Sequence, residues 1–351
     1  MVNYWIKKSL YALVVLWGII TLIFFLFNIV PSDPARLTLG QRSDLATLEN
    51  VRKELNLDKS IPERYLLYLN DLSPISIHDT SSLHQYNIKG SLRLGSAGTL
   101  VLKQPYLGRS YQTKRPVSEV IAEALPGTVI LAVSAMLFAI ITGILLGLLA
   151  GIRQGTAWDS SAIFTSILGI SAPSFFMGLV IAYVFGFLLK PYLGLPMTGS
   201  LFEYDTSGIQ RISFKNLILP AFTLGIRPMA IIAQLTRSSV LDVLHQDFIR
   251  TAYAKGLSRR RVIFRHALPN ALNPVITAVS GWFAELLAGS FFIEYIFSWK
   301  GLGKLTVDAL DKMDFPIVMG SIIVSASAFI IINLLTDLLY AKVDPRIRLD
   351  A

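Results

Sequence analysis

The residues best suited to polar chemistry form one stretch between two apolar segments, from Asp247 to Asn270. Its first part predicts a short helix that ends at Gly256, because glycine suits the left-handed residue just past a helix end. Asp247 near the start of this helix and Lys255 near its end both suit the helix dipole. A run of three arginines follows the helix. The chemistry predicted for such a stretch is the docking of a soluble partner, not catalysis.

A second set of candidate residues lies within apolar segments. Glu285 is placed near the middle of one such segment, where a charge is costly and usually faces a cavity or another helix. The sequence leaves two roles open for Glu285: a pathway-lining group that contacts a cationic or peptide substrate, or a hydrogen bond between helices. We expect Trp282 and Ser174 to line the same pathway.

Residue patterns for catalysis are missing from the sequence. Nothing fits the phosphate-binding pattern G-x-x-x-x-G-K-[ST], and Gly301-Leu302-Gly303-Lys304 matches only part of it. The chain has no cysteine, and no histidine or acidic cluster has metal-ligand spacing. None of the four histidines lies in an apolar span, so a buried hydrolase base is also missing. We therefore expect neither an enzyme nor a cofactor or metal in this chain.

The composition indicates a membrane protein. Of the 351 residues, 53% are hydrophobic and only 16% are charged, and the mean hydropathy is +0.56. Soluble domains usually carry about 25% charged residues. The net charge of +9 is then read as an excess of Lys and Arg in cytoplasmic loops, and not as a signal for nucleic acid.

Six apolar runs are long enough to cross a bilayer of about 30 Å. They are Ser9–Val30, Gly127–Ile152, Ala162–Leu189, Leu217–Leu235, Pro274–Phe297 and Ile317–Tyr340. Ser171-Ala172-Pro173-Ser174 interrupts the third span. Pro220, Arg227 and Pro228 in the fourth span predict that it is short and kinked or tilted. The fold class is therefore an all-α polytopic membrane protein with both termini on the same side.

The sequence divides into three parts around these spans. Residues 1–30 form an N-terminal transmembrane helix, and residues 31–115 an extracytoplasmic subdomain with loops and short strands after residue 73. Residues 116–351 form a five-helix core that includes loop 238–272. The connection between the fourth and fifth spans carries seven Lys and Arg residues when Arg237 is counted with loop 238–272, against three between the last two spans. This difference places the loop in the cytoplasm with both termini.

The docking stretch resembles a known motif. Gly256, nine further residues and then His266-Ala267-Leu268-Pro269 are similar to the EAA loop of ABC-importer permeases. Arg250-Thr251-Ala252 stands where Glu-Ala-Ala is usual, and His266 where Ile is usual. These departures resemble one subfamily, the permeases for dipeptides, oligopeptides and nickel, whose loop is similar to Arg250–Thr277.

Other parts of the chain carry the same resemblance. The similar stretches are Asn28–Ala35, Leu55–Asp58, Leu107–Tyr111, Arg115–Val117, Leu125–Thr128, Pro173–Phe175, Phe297–Gly303, Asp314–Val318 and Tyr340–Arg346. Residues 73–105 look like an insertion relative to shorter members, and Glu285 stands where a small or apolar residue is expected. The resemblance covers nearly the whole chain.

The resemblance implies a type I ABC importer permease in the bacterial cytoplasmic (inner) membrane. It implies a second, homologous permease subunit, two cytoplasmic ATPase subunits that use ATP and Mg²⁺, and an extracytoplasmic substrate-binding protein. The residues that it assigns to ATPase docking are Asp247, Phe248, Arg250, Thr251, Ala252, Tyr253, Ala254, Lys255, Gly256, Leu257 and Arg259. Phe248 and Tyr253 would be the buried anchors of that interface.

Two other function classes remain open from the residues alone. One is a secondary transporter driven by protons or sodium, although few charged residues lie in the spans. The other is a membrane-anchored scaffold whose segment 31–115 binds a partner. For the importer, peptides are the expected substrates, with nickel complexes and sugars as alternatives.

Overall fold

The computed structural model describes residues 2–29, 49, 52, 56–78, 88–93, 99–204 and 208–343. The chain forms two compact units, one built mainly from residues 124–304 and one from residues 8–123 and 305–324. The described helices are α1 (Val2–Ile29), α2 (Ile61–Leu72), α3 (Val117–Ile152), α4 (Ala157–Ser171), α5 (Ser174–Ile181), α6 (Lys190–Leu193), α7 (Lys215–Leu244), α8 (Asp247–Ala254), α9 (Arg259–Val262), α10 (Leu268–Ala271), α11 (Asn273–Gly289), α12 (Phe291–Ile296), α13 (Leu302–Asp311) and α14 (Phe315–Val343). The helix α5 continues with π-helical geometry over Ala182–Leu188, and α9 does so over Ile263–Ala267.

The strands form two small antiparallel sheets. The three-stranded sheet has the order β1 (Ile75–His78), β3 (Thr99–Lys103), β2 (Ile88–Arg93). The two-stranded sheet pairs β4 (Phe202–Tyr204) with β5 (Gln210–Ile212). The short strands predicted after residue 73 are therefore present, and the chain is helical in its apolar parts but not all-α throughout.

In the unit around residues 8–123, α1 packs on α2 through aromatic side chains. The ring of Phe24 lies 5.2 Å from that of Tyr65 and 5.4 Å from that of Tyr68. The hydroxyls of Thr21 and Tyr65 are 2.6 Å apart. The helix α2 starts where the backbone N–H of Ser60 donates to the Glu63 carboxylate at 3.0 Å, as in a capping box.

A buried carboxylate holds a second part of the same unit together. Asp314, which is 2% exposed, accepts hydrogen bonds from the Ser110 hydroxyl at 2.5 Å and the Tyr111 backbone N–H at 2.9 Å. Burial raises the pKa of the Tyr111 phenol to about 12. These contacts join two of the stretches that carry the resemblance, Leu107–Tyr111 and Asp314–Val318.

In the unit around residues 124–304, three glycines four residues apart form a glycine seam between α3 and α7: Gly143, Gly147 and Gly151. A Cβ atom on Gly147 would lie 2.4 Å from the backbone oxygen of Ala233, and one on Gly143 would lie 2.8 Å from that of Met229. Small residues at every fourth position allow membrane helices to approach closely. The seam therefore fixes α7 against α3 backbone to backbone.

A second close contact surrounds Glu294, whose side chain is completely buried. Its carboxylate accepts hydrogen bonds from the Ser290 hydroxyl and the Gly303 backbone N–H, each at 2.7 Å. A Cβ atom on Gly301 would lie 2.4 Å from the Glu294 Oε2 atom, so no larger residue fits there. Segment 297–303 thus folds tightly around one carboxylate.

The same segment is joined to the start of the second apolar span. The buried Trp299 indole donates to the backbone oxygen of Gly127 at 2.9 Å, and the Leu302 backbone N–H donates to the Thr128 hydroxyl at 2.7 Å. These hydrogen bonds give a structural reason for two motifs of the resemblance, Leu125–Thr128 and Phe297–Gly303.

The described residues contain four helices that are long and apolar enough to cross a membrane: Trp5–Asn28, Val117–Ile152, Lys215–Leu244 and Phe315–Asp337. A bent pair, α4 with α5 and its continuation, makes a fifth if it is one span, and its halves meet at 108°. The predicted interruption of the third span before Ser174 is confirmed.

Two span predictions need correction. The fourth span is not short, because α7 is one continuous helix of 30 residues that includes Pro220 and Pro228. Membrane helices tolerate proline because neighbouring groups satisfy the freed backbone oxygens. The fifth span is divided, because α11 has 17 residues and the chain turns at Ser290, where the contacts to Glu294 begin. Most of Asn28–Ala35 and the C-terminal stretch beyond residue 343 lie outside the described residues.

The glycine seam gives a prediction for stability. Gly147→Ala places a methyl group against the backbone of α7, so we expect it to lower the free energy of unfolding by about 1–3 kcal/mol. Gly281→Ala is the matched control, because nothing lies within 4 Å of a Cβ atom there and alanine favours the helix. Thermal unfolding of the detergent-purified chain measures both. Equal stability of the two variants would contradict the close approach at the seam.

Candidate functional site: an exposed docking helix and a charged cavity

The docking helix, Asp247–Ala254, has a buried aliphatic stripe flanked by two partly exposed aromatic residues. Ile249 is 1% exposed and Ala252 is 6% exposed, and both pack against Val262 and Ala267 from the segment that follows. The aromatic residues Phe248 and Tyr253, by contrast, are each 44% exposed. The small aliphatic residues therefore anchor the helix to its own chain, and the two large aromatic residues remain available on the outside.

Gly256 ends the docking helix in the predicted way. Its φ is +76°, in the left-handed region, and nothing lies within 4 Å of a Cβ atom built on it. Its backbone N–H donates to the Tyr253 oxygen at 2.9 Å, and the Leu257 N–H donates to the Ala252 oxygen at 3.3 Å. The turn returns Leu257 to the apolar cluster under the helix. Glycine is required here by backbone conformation and not by space.

The charged residues of the loop are solvent-exposed. The Arg250 Nη1 atom lies 3.7 Å from the Asp247 Oδ1 atom, and these side chains are 76% and 96% exposed. Such a pair contributes little stability, at most about 1 kcal/mol. Arg259 instead donates from Nη2 to the backbone oxygen of Ile152 at 3.2 Å, at the end of α3. Lys255 is also exposed, so the predicted polar contact residues can all reach a partner.

A salt bridge connects the first turn of α4 with α7, near the end of α7 that leads to the docking helix. The Arg237 guanidinium donates to both carboxylate oxygens of Asp159, at 2.5 Å and 2.9 Å. The backbone N–H of Gly155 donates to the same carboxylate at 3.0 Å. Sequence reasoning missed this pair, because its members are separated by 78 positions. Asp159 in the first turn of an apolar helix was the available signal.

The three predicted pathway residues lie together. Glu285, Trp282 and Ser174 line one cavity of about 70 Å³, with Thr223 and Arg227 from α7. The Arg227 Nη1 atom is 4.0 Å from the Glu285 Oε1 atom, and the Arg227 guanidinium lies over the Trp282 ring at 5.4 Å from its centroid. Sequence reasoning noted Arg227 only as a feature of the fourth span. An intramembrane cation beside an intramembrane acid was the signal for it.

Among the described residues, no group of three or more His, Cys, Asp or Glu side chains is placed to hold a metal ion. The candidate binding features of the described part are therefore the charged cavity and the loop around the docking helix.

The long apolar helices define a multi-pass membrane protein, and an exposed amphipathic helix lies between two of them. Comparison with known proteins gives the family. A family model described as binding-protein-dependent transport system inner membrane component matches residues 143–349, and its N-terminal counterpart matches residues 1–132. The chain belongs to this family, as a permease subunit of an ABC importer whose separate ATPase subunits hydrolyse ATP.

Named relatives agree along the full length. The chain is 33% identical to a dipeptide transport system permease protein of Alkalihalophilus pseudofirmus, covering 99% of this chain and 100% of that protein. It is 34% identical to a glutathione transport system permease protein of Pectobacterium atrosepticum, covering 99% of each. A solved structure of an inward-facing MetNI methionine ABC transporter is similar with a TM-score of 0.48 and 14% identity, over 65% of this chain and 97% of that one.

Family membership decides between the function classes that the sequence left open. The prediction of an ABC-importer permease related to the peptide subfamily is confirmed, and the secondary transporter and the scaffold are set aside. The chain is an inner-membrane, multi-pass protein of an ABC transporter complex. The roles of individual residues rest on the geometry described above.

The conformation of Gly256 gives a second prediction. Gly256→Ala forces an alanine into the left-handed region and is expected to destabilise the end of the docking helix by about 1–2 kcal/mol. Gly256→Asn is the control, because asparagine tolerates this conformation. Hydrogen exchange of the backbone amides at positions 256 and 257 measures the effect. We expect faster exchange in the Gly256→Ala variant than in the Gly256→Asn variant. The reverse order would show that the helix end does not depend on this turn.

The Asp159–Arg237 salt bridge gives a third prediction. We expect Asp159→Ala and Arg237→Ala to be non-additive by about 1 kcal/mol, because each removes the same interaction. Unfolding of the two single variants and the double variant measures this. Asp242→Ala, which removes an exposed acid from the same helix, should combine additively with Arg237→Ala. Additivity in both cycles would mean that the pair contributes no net stability.

Proposed function

We propose that the chain forms the peptide pathway of an ABC importer and that loop 238–272 docks an ATPase from the cytoplasm. The observation that carries this proposal is the docking helix, which keeps two aromatic residues exposed while aliphatic residues anchor it. Aromatic side chains dominate the energy of many interfaces. An exposed aromatic pair on a helix that is fixed to the membrane core suits transmission of movement from a partner.

Peptides are the proposed substrates because the relatives at 33–34% identity are named for dipeptide and glutathione transport. The complex that we propose contains a second, homologous permease and two ATPase subunits, and an extracytoplasmic binding protein delivers the peptide. ATP and Mg²⁺ act in the ATPase subunits, and this chain holds no cofactor of its own.

The proposed topology has six spans with both termini in the cytoplasm. The basic residues Lys7 and Lys8 near the N-terminus and the basic loop 238–272 favour that side for both. In this topology the divided segment α11–α12 is the fifth span, and neighbouring helices of the assembled complex cover the break between its two helices. Residues 31–115 then lie on the extracytoplasmic side, where the sheet of β1, β3 and β2 faces the binding protein.

The docking role predicts a specific loss of coupling. Phe248→Ala and Tyr253→Ala are each expected to weaken ATPase association by roughly tenfold or more, because each removes an interface anchor. Both side chains are largely outside the core, so the permease itself should stay folded. Copurification of the ATPase and substrate-stimulated ATP hydrolysis in proteoliposomes measure the effect.

Phe264→Ala is the matched control, because Phe264 is 55% exposed and belongs to the same loop but not to the docking helix. It should retain association and ATP hydrolysis. Wild-type coupling in both docking-helix variants would contradict the proposed role of the helix.

A further inference from the structure

The charged pair in the cavity is arranged as a binding site and not as a closed salt bridge. At 4.0 Å, the Nη1–Oε1 distance between Arg227 and Glu285 exceeds that of a charge-assisted hydrogen bond. The side chains are 51% and 55% exposed, so both charges can be reached from outside. A structural ion pair within an apolar bundle would be closer and more buried. The two charges neutralise each other when the site is empty and are still free to exchange partners.

The neighbouring residues orient the cation. The Arg227 guanidinium lies over the Trp282 ring, a contact that holds its plane and leaves its edge free to donate hydrogen bonds. The hydroxyl of Thr223 is already bonded to the Leu219 oxygen at 2.7 Å. The remaining lining from Met177, Ile226 and Leu286 is apolar, with Ser174 as a further hydroxyl.

We propose that Arg227 and Glu285 recognise the two charged ends of a short zwitterionic peptide, Arg227 the terminal carboxylate and Glu285 the terminal ammonium. This proposal rests on the proposed function and specifies what its pathway selects. A guanidinium binds a carboxylate through two parallel hydrogen bonds, which no amide can replace. A ligand with only one charged end forms one charge-assisted contact and not two, with either Arg227 or Glu285.

The geometry also limits ligand size. A cavity of 70 Å³ admits a few water molecules and not a whole peptide. A bound peptide must therefore lie mostly outside the cavity, and the Arg227 and Glu285 side chains must move apart from their 4.0 Å separation to reach its two ends. An extended chain spans about 3.3–3.6 Å per residue, so the ends of a dipeptide lie about 7 Å apart. Two flexible side chains on adjacent helices can bracket that distance but not the length of a long peptide.

End-blocked peptides test the site directly. The assembled transporter in detergent, without binding protein or nucleotide, is equilibrated with radiolabelled dialanine. Unlabelled dialanine, N-acetyl-dialanine and dialanine amide then compete for the site. We expect dialanine to compete about tenfold better than either blocked form, as each lost charge-assisted contact implies. Failure of the wild-type protein to bind dialanine, or equal competition by all three peptides, overturns the proposal without any variant.

Single variants then assign each end. Arg227→Gln should remove the preference for dialanine over its amide and keep the preference over the acetylated form. Glu285→Gln should do the reverse. Lys190→Gln removes an exposed cation outside the cavity and should change neither ratio. A uniform loss for all three peptides in both cavity variants would identify a purely structural pair and overturn the assignment.

Uptake separates this site from the proposed function. ATP-driven uptake of dialanine by wild-type proteoliposomes, supplied with the binding protein, tests the importer itself. If uptake occurs but the competition assay shows no preference for peptides with free ends, only the proposed charged site is overturned. Absence of ATP-driven uptake for any peptide overturns the peptide function, whatever the competition assay shows.

Discussion

Contact between α3 and α7 at the glycine seam is the constraint on which the site geometry depends. Because the two backbones touch at Gly143 and Gly147, α7 cannot slide or roll against α3 without a clash. The helix α7 carries Arg227 and Arg237, and it ends at Leu244, shortly before the docking helix begins. The seam therefore fixes the positions of Arg227 and of the end of α7 relative to α3.

The helix α7 connects the charged cavity with the segment that leads to the docking helix. Arg227 and the end of α7 are separated by 17 residues, or about 25 Å of helix. The Asp159–Arg237 salt bridge connects the segment before the docking helix to the start of α4, and the Arg259 hydrogen bond to Ile152 connects the segment after it to the end of α3. If the docking helix binds an ATPase as proposed, a push on it would displace these helices as rigid bodies.

Features that depend on neighbouring residues could be predicted from the sequence. Features that depend on contacts between distant residues could not. The docking helix and its end at Gly256 follow from capping and φ preferences of neighbouring residues, and the apolar runs follow from bilayer thickness. The division of the fifth span depends on Glu294 and its contacts with a later loop, which periodicity does not reveal. Arg227 and Glu285 were both visible in the sequence, but 58 positions separate them. Only tertiary packing shows that they face one cavity.

The two exposed aromatic residues of the docking helix have a consequence for a chain without its partner. Phe248 and Tyr253 then remain in water, and exposed apolar patches favour aggregation and recognition by quality-control systems. Binding of a partner to the folded chain alone would raise its stability by mass action. The supply of the partner subunit, in addition to the folding of the permease, would then set how much of this chain persists in the membrane.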